Sequence, residues 1–387
     1  MQIAQVVEEA ARSLASTREL LRAGMTERGI RSEVSNGSLV RLRQGYFVRS
    51  AFWNGADYRQ RHVVSALAAR EAAAGTIVFS HRTAATLLGL PVWSAWLNRL
   101  FPSEAREPGV TTAFSPFKER QSSLDGDAPK DRTPSGAPDP RLVHTTAASN
   151  RRASSHPFMF RHRGELSDSE VISSLGFTLT SGERTLFDLG RSEPFAIALA
   201  CTDEFLRHQI TVNRSIDEQS WDEWQQRLRD RAKRFPHSRG MPAVRALATL
   251  AHPGADSPLE TVSRLRCLQV GLNVKVQFRV RSEWGGYNYL DFLFEGLGVF
   301  GECDGKAKYT DSKLLGKRSA DEVVHDEKRR HDWVVGTTGM RGVRWGAADV
   351  ETTEVFAQRL REFRLPVPGV PVRSYGEEIA LFLGKLR

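Results

Sequence analysis

The chain has 387 residues, 40% of them hydrophobic and 26% charged, an ordinary globular balance that excludes a fibrous or wholly low-complexity protein and leaves room for about two or three domains. No apolar run reaches the length of about 18 residues that a membrane span needs, and the opening MQIAQVVEEAARSLASTREL is a polar amphipathic stretch rather than a signal peptide, so a cytoplasmic protein with no membrane partner is expected. Cys201, Cys267 and Cys303 are scattered and odd in number, which gives neither a disulfide framework nor zinc-ligand spacing, while a net charge of +9 and a pI near 9.7 favour a polyanionic partner, most simply nucleic acid.

Residues 1–50 read as a winged helix-turn-helix. A first helix is expected over 3–15, Ser16 caps a second over 17–23, Gly24 makes the turn, and Thr26 caps a third that runs to 34. Asn36-Gly37 reads as a hairpin-type turn, and LVRLR and YFV, on either side of Gln44-Gly45, read as the strands of a wing with arginines alternating outward. Thr26, Glu27, Arg28, Arg31 and Ser32 are then the exposed residues of a helix that enters the major groove, and Arg41 and Arg43 touch phosphates. A small helical domain for protein contacts is the alternative.

Residues 51–100 form a helical extension, with a helix over 58–74 and a short one in SHRTAATLLGLP; His81, next to a capping Ser80, is read as structural. The Pro-, Ser-, Gly- and Asp-rich stretch 101–141 reads as a disordered insertion or linker. Residues 142–250 read as a mixed α+β scaffold: β-like LVHTT and FMFRHR, helices over 184–191 and 195–208, and a charged amphipathic helix over 221–235.

Chemistry concentrates in 255–350. Ser257, Pro258 and Glu260 fit the cap, first and third positions of a helix, so Glu260 has a structural explanation beside a functional one as an extra metal ligand or water-orienting carboxylate. YLDFLF and VFGECD, separated by Glu295-Gly296-Leu297-Gly298, read as a β-hairpin. If its turn is symmetric about Gly296 and Leu297, Asp291 opposes Glu302 with Cβ atoms about 5 Å apart, and Asp304 returns to the same face. Such like charges call for a cation. Oxygen ligands with Lys306 nearby suit Mg²⁺ or Mn²⁺ and phosphodiester hydrolysis, with Asp291, Glu302 and Asp304 as metal ligands. A solvated rim that guards a sheet edge is the alternative, against which the apolar flanks argue. Further on, Asp321 starts a charged helix that carries HDEKRRHDW, where Lys328 and Arg329 either face solvent or hold a DNA backbone. Val343-Arg344-Trp345 reads as a last strand, and 351–387 as a tail.

Asp291-Phe292, Glu302-x-Asp304-Gly305, Lys306-x-Lys308-Tyr309 and Glu327-Lys328-Arg329-Arg330-x-Asp332 together resemble the PD-(D/E)XK, restriction-endonuclease-like superfamily, in its very-short-patch-repair (Vsr-like) branch; Ser257-Pro258-Leu259-Glu260 matches that branch's leading helix. The resemblance implies metal-binding acids at Asp291 and Glu302 and an auxiliary acid at Glu260. The slot where it implies lysine holds Asp304, with Lys306 nearest, so either a relocated lysine serves or the domain binds DNA without cutting. The N-terminal third, through its wing and Ser80-His81-x-x-Ala84-Ala85-x-Leu87-Leu88-Gly89-Leu90-Pro91, is similar to AbiEi-type antitoxins of type IV toxin–antitoxin systems, which implies binding of its own operator DNA; Thr180-Ser181-x-x-Arg184-Thr185-Leu186-x-Asp188-Leu189 also fits. The expectation is therefore a multidomain α/β protein: a winged helix-turn-helix, a mixed α+β middle region, and a restriction-endonuclease-like mixed sheet flanked by helices. Its function is Mg-dependent cutting of DNA or, in the alternative, non-catalytic antitoxin-like transcriptional regulation.

Overall fold

The computed structural model describes residues 2–102, 138–147, 158–304 and 320–386. Lys306 and nearly all of the expected insertion therefore lie outside the described residues. Among the described residues helix (51%) and strand (20%) are both abundant, which makes the protein mixed α/β. No described helix is long and apolar enough to cross a membrane. Two compact units, Met1–Cys201 and Thr202–Arg387, divide the chain.

The first unit opens with α1 (Ile3–Ser13), β1 (Leu14–Ser16), α2 (Thr17–Arg22), α3 (Glu27–Ser35), β2 (Leu39–Arg43) and β3 (Tyr46–Arg49). Local chemistry fixes the helix starts. The Ser16 hydroxyl accepts from Glu19 N at 3.2 Å while the Glu19 carboxylate accepts from Ser16 N at 2.7 Å, and Thr26 Oγ1 accepts from Gly29 N at 3.0 Å. The strands form an antiparallel sheet in the order β1-β3-β2, and Leu20, Ile30, Leu39 and Phe47 make a small core of their own beneath α2 and α3. Two expectations are corrected here. Asn36-Gly37, read as a hairpin-type turn, instead closes α3, with Gly37 at φ +81°; the wing hairpin itself turns at Gln44-Gly45, between the two expected strands, where Gly45 has φ +80°. A register shift between Arg41 and Arg43 also breaks the outward alternation: Arg41 is exposed, but Arg43 is only 7% exposed and donates to Phe158 O.

After α4 (Ser50–Gly55), α5 (Tyr58–Glu71), β4 (Val78–Phe79), α6 (His81–Leu87) and α7 (Ala95–Leu100) come β5 (Val143–Ala147), β6 (Met159–Arg163), β7 (Val171–Ser174), β8 (Phe177–Thr180) and α8 (Gly182–Ser192). The five strands form a mixed sheet in the order β6-β5-β4-β8-β7. Its core joins Val63, Val64 and Leu67 of α5 to Phe79, Val143 and Leu179. Two buried arginines here are paired: Arg82 binds Glu193 with two nitrogens, and Arg184 binds Asp188. His81 joins a cluster in which its ring stacks on His162 at 3.3 Å, and His162 Nε2 lies 3.0 Å from His144 Nδ1.

Helix α9 (Phe195–Ile210) carries the chain into the second unit. There β9 (Thr211–Val212), β10 (Ser215–Ile216), α10 (Glu218–Arg234), α11 (Met241–Leu250) and α12 (Pro258–Gln269) precede β11 (Val274–Arg281), β12 (Tyr287–Phe294) and β13 (Val299–Asp304), and α13 (Ala320–Thr338), β14 (Arg341–Gly346), α14 (Thr353–Glu362) and α15 (Glu377–Lys385) follow. The main sheet runs β11-β12-β13-β14, an antiparallel meander closed by β14 parallel to β13. Trp345 stacks on Phe292, meets Phe294 and Phe356 edge-on, and donates from Nε1 to Ser263 Oγ of α12. Its ring takes the space that a side chain at Gly301 would need.

Candidate functional site: a buried acidic cluster beside a basic, aromatic rim

Helix α12 starts as its sequence requires, with Ser257 capping Glu260 N at 3.2 Å. Glu260 then reaches back: its carboxylate accepts from the Ser257 hydroxyl at 3.0 Å and from Asp256 N at 2.9 Å. A third donor, Gln277 Nε2 of β11, lies 3.1 Å from Glu260 Oε2. All three donors are neutral. Burial, and next the charge of Asp291, push the Glu260 carboxyl up to about 7. The side chain that helps to cap α12 thus also has a raised proton affinity.

The hairpin register is the expected one. Phe294↔Val299 and Phe292↔Gly301 extend to place Asp291 opposite Glu302, and the β11 register places Gln277 opposite Asp291. Gln277 holds φ +51°, a left-handed conformation unusual for a side-chain-bearing strand residue. Asp291 Oδ2 accepts from Cys303 N at 2.8 Å, across the end of the ladder.

Glu302 stands in a different setting. It is 5% exposed, and both its oxygens are taken by guanidinium groups, Oε1 by Arg330 of α13 and Oε2 by Arg344 of β14 at 2.9 Å. Arg344 is its register partner on the parallel strand, and also reaches Glu327 at 2.8 Å and Asp304 at 3.7 Å. Burial works against the Arg344 charge, but Glu302, Glu327 and Asp304 outweigh it and hold its pKa above the ordinary value.

Of the expected trio, Asp291 stands opposite Glu302 in the register, and Glu302 and Asp304 share Arg344. Among the described residues, no group of three or more His, Cys, Asp or Glu side chains is arranged to hold a metal ion. The pair Glu260 and Asp291 does suit a cation, because each raises the cost of the other's charge in a buried setting. Glu302, committed to two arginines, fits that role less well.

No family model matches the chain, and neither a curated protein nor a solved structure matches it.

Near the cluster the second unit presents a basic, aromatic rim. Trp284, in the β11–β12 turn, is 75% exposed; Arg329 lies 4.6 Å over its ring and pairs with Glu283 at 3.0 Å. Arg279 lies 5.0 Å over Tyr287, and Arg281 and Lys328 are exposed. In the first unit, Thr26, Arg28 and Arg31 are exposed on or next to α3, and Arg41 on β2. Gln277, and the pairing of Arg330 and Arg344 with Glu302, escaped the sequence. A strand residue in left-handed backbone has no local signature, and parallel pairing between β13 and β14 joins segments about 40 residues apart with no turn to set the register.

Proposed function

We propose that this chain is a DNA-binding protein whose second unit carries a divalent-metal-dependent phosphodiesterase site built on Glu260 and Asp291. The observation that carries the reading is this like-charge pair, in which the buried Glu260 carboxyl at the start of α12 is pushed up to about 7 by burial and by Asp291 of β12. Mg²⁺ or Mn²⁺, when bound, supplies neutralisation of charge and activation of water. The chain's own residues do the rest: Glu260 and Asp291 would hold the ion, Gln277 orients Glu260 through its amide, and Arg330 and Arg344 hold Glu302 in place. Exposed Arg279, Arg281, Lys328 and Arg329 offer contacts to the phosphate backbone, and Trp284 a face on which a base can stack. In the first unit the short α3, with Arg28 and Arg31 outward above a three-stranded sheet, supports a winged helix-turn-helix reading, with Arg41 as the phosphate contact. The restriction-endonuclease-like and AbiEi-type resemblances agree with both assignments.

A second reading, a non-catalytic operator-binding regulator, is favoured by one specific feature. Glu302 has both oxygens on arginines, and Asp304 stands where a lysine would assist catalysis.

Supercoiled plasmid incubated with wild-type or Asp291→Ala protein, in Mg²⁺, Mn²⁺ or EDTA, separates the two. The expected result is nicking that needs both metal and Asp291, with DNA binding retained by the variant in a gel shift. Equal nicking by Asp291→Ala would overturn the metal-site assignment. Absence of cutting by either protein, with binding intact, would leave the regulator as the function.

A further inference from the structure

We propose that the second unit also binds a small organic carboxylate, in a cavity of about 250 Å³ whose lining includes neither Glu260 nor Asp291. Trp221 and Arg229 of α10, His252, Arg264 and Leu268 of α12, and Val276 of β11 are among the residues that line it.

Gln225, Thr249 and Tyr375 of the lining can accept as well as donate, but two buried donors are left unpaired among the described residues. Trp221 Nε1 and Arg264 Nε are buried and, among the described residues, have no hydrogen-bond partner. Such donors are costly to leave unmade, so they call for an acceptor in the adjoining space. His252 adds a third. Its Nδ1 accepts from Gly254 N at 2.9 Å, which places the proton on Nε2, and burial keeps the ring neutral with a pKa of about 3.

The charge balance points the same way. Arg264 is compensated by Asp203, which it meets at 2.7 Å. Arg229, by contrast, bonds only neutral acceptors among the described residues, Gln225 Oε1 at 3.2 Å and Ala248 O at 3.4 Å. An anion therefore balances the site, and a planar carboxylate matches a guanidinium with two parallel hydrogen bonds. Leu268, Val276 and the Trp221 ring supply an apolar wall, so the acid carries a hydrocarbon part. The volume falls below the roughly 300–1,000 Å³ of drug-sized sites, which suits a molecule the size of benzoate rather than a nucleotide.

Isothermal titration and ligand-detected NMR on the full chain, with benzoate, phenylacetate and hexanoate as probes and benzamide as the neutral counterpart of benzoate, test this. At least one acid is expected to bind, benzamide is expected to bind about tenfold or more weaker than benzoate, and Arg229→Gln is expected to weaken the bound acid about tenfold or more. Trp221→Phe, which keeps the ring wall but removes the N–H, is expected to weaken it by a smaller factor. Failure of all three acids to bind, benzamide binding as well as benzoate, or affinity indifferent to Arg229→Gln would each overturn the proposal and assign the cavity to water.

Discussion

Arg41 and Arg43 stand two residues apart on one strand, yet only one of them is available to a phosphate. The register shift between them turns Arg43 inward, where burial, and next the neighbouring Arg161, lower its pKa to about 10. Arg41→Ala is therefore expected to reduce the slope of log affinity for duplex DNA against log salt by about one, whereas Arg43→Ala is expected to leave that slope unchanged. Fluorescence anisotropy across a salt series reads both. At the acidic cluster, Glu302→Gln leaves Arg330 and Arg344 facing a neutral amide. Those side chains are about one-third exposed, at 32% and 35%, so solvent screens part of the loss. A destabilisation of about 1–3 kcal/mol in urea unfolding is expected. Helix caps at Ser16, Thr26 and Ser257 were legible in the sequence because each involves residues only three apart. The burial of Arg43 was not, since a single irregularity reverses the parity on which strand-face assignments rest.

At the scale of elements, α3 sits on a core of only a few side chains, Leu20, Ile30, Leu39 and Phe47, while Arg28 and Arg31 point to solvent. Replacing both arginines with alanine should leave far-UV circular dichroism unchanged and weaken promoter DNA binding by about 1–3 kcal/mol for each guanidinium removed, as read by gel shift. Binding indifferent to the double replacement would remove α3 from the interface. In the second unit, β13 accepts a tight constraint from β14. Gly301→Ala drives a methyl group into the Trp345 ring, and a loss of about 1–3 kcal/mol is expected from thermal or urea unfolding. The β12–β13 hairpin could be read in register from its sequence because a short Gly-rich turn fixes it. The place of β14 beside β13 could not, because that pairing is made only when α13 and the whole sheet assemble.

For the whole molecule, acidity should act first through buried histidines. His62 and His144 are held at about 3 and His162 at about 2, each chiefly by burial, and His81 well below its ordinary 6.5 for the same reason. In each case the unfolded chain takes up a proton more readily than the folded one. Their contribution is thus fully present above about 6.5 and declines as pH falls below it, at up to about 1.4 kcal/mol per pH unit for each independent group. Urea midpoints measured from pH 7.5 to 4.5 should fall steeply below pH 6.5, and a flat profile would show that these rings find water in the folded state. The coarse plan, several globular regions with a basic surface charge, followed from composition and patterning. The histidine cluster did not, because its members come from α6, β5 and β6, which only the folded first unit brings together.

The left-handed backbone at Gln277 matters to more than Glu260. β11 is an outer strand of its sheet, and such a strand offers unpaired main-chain groups to any other extended chain. The distortion at Gln277 interrupts the straight run that a docking strand would need, and Lys275, Arg279 and Arg281 line the exposed side with like charge. The residue that steadies the Glu260 carboxylate is thus also the one that breaks the regularity of an outer strand. A Gln277→Val chain, whose backbone is free to flatten, should aggregate sooner than the parent on agitation, and most visibly in high salt, where the cationic repulsion is screened.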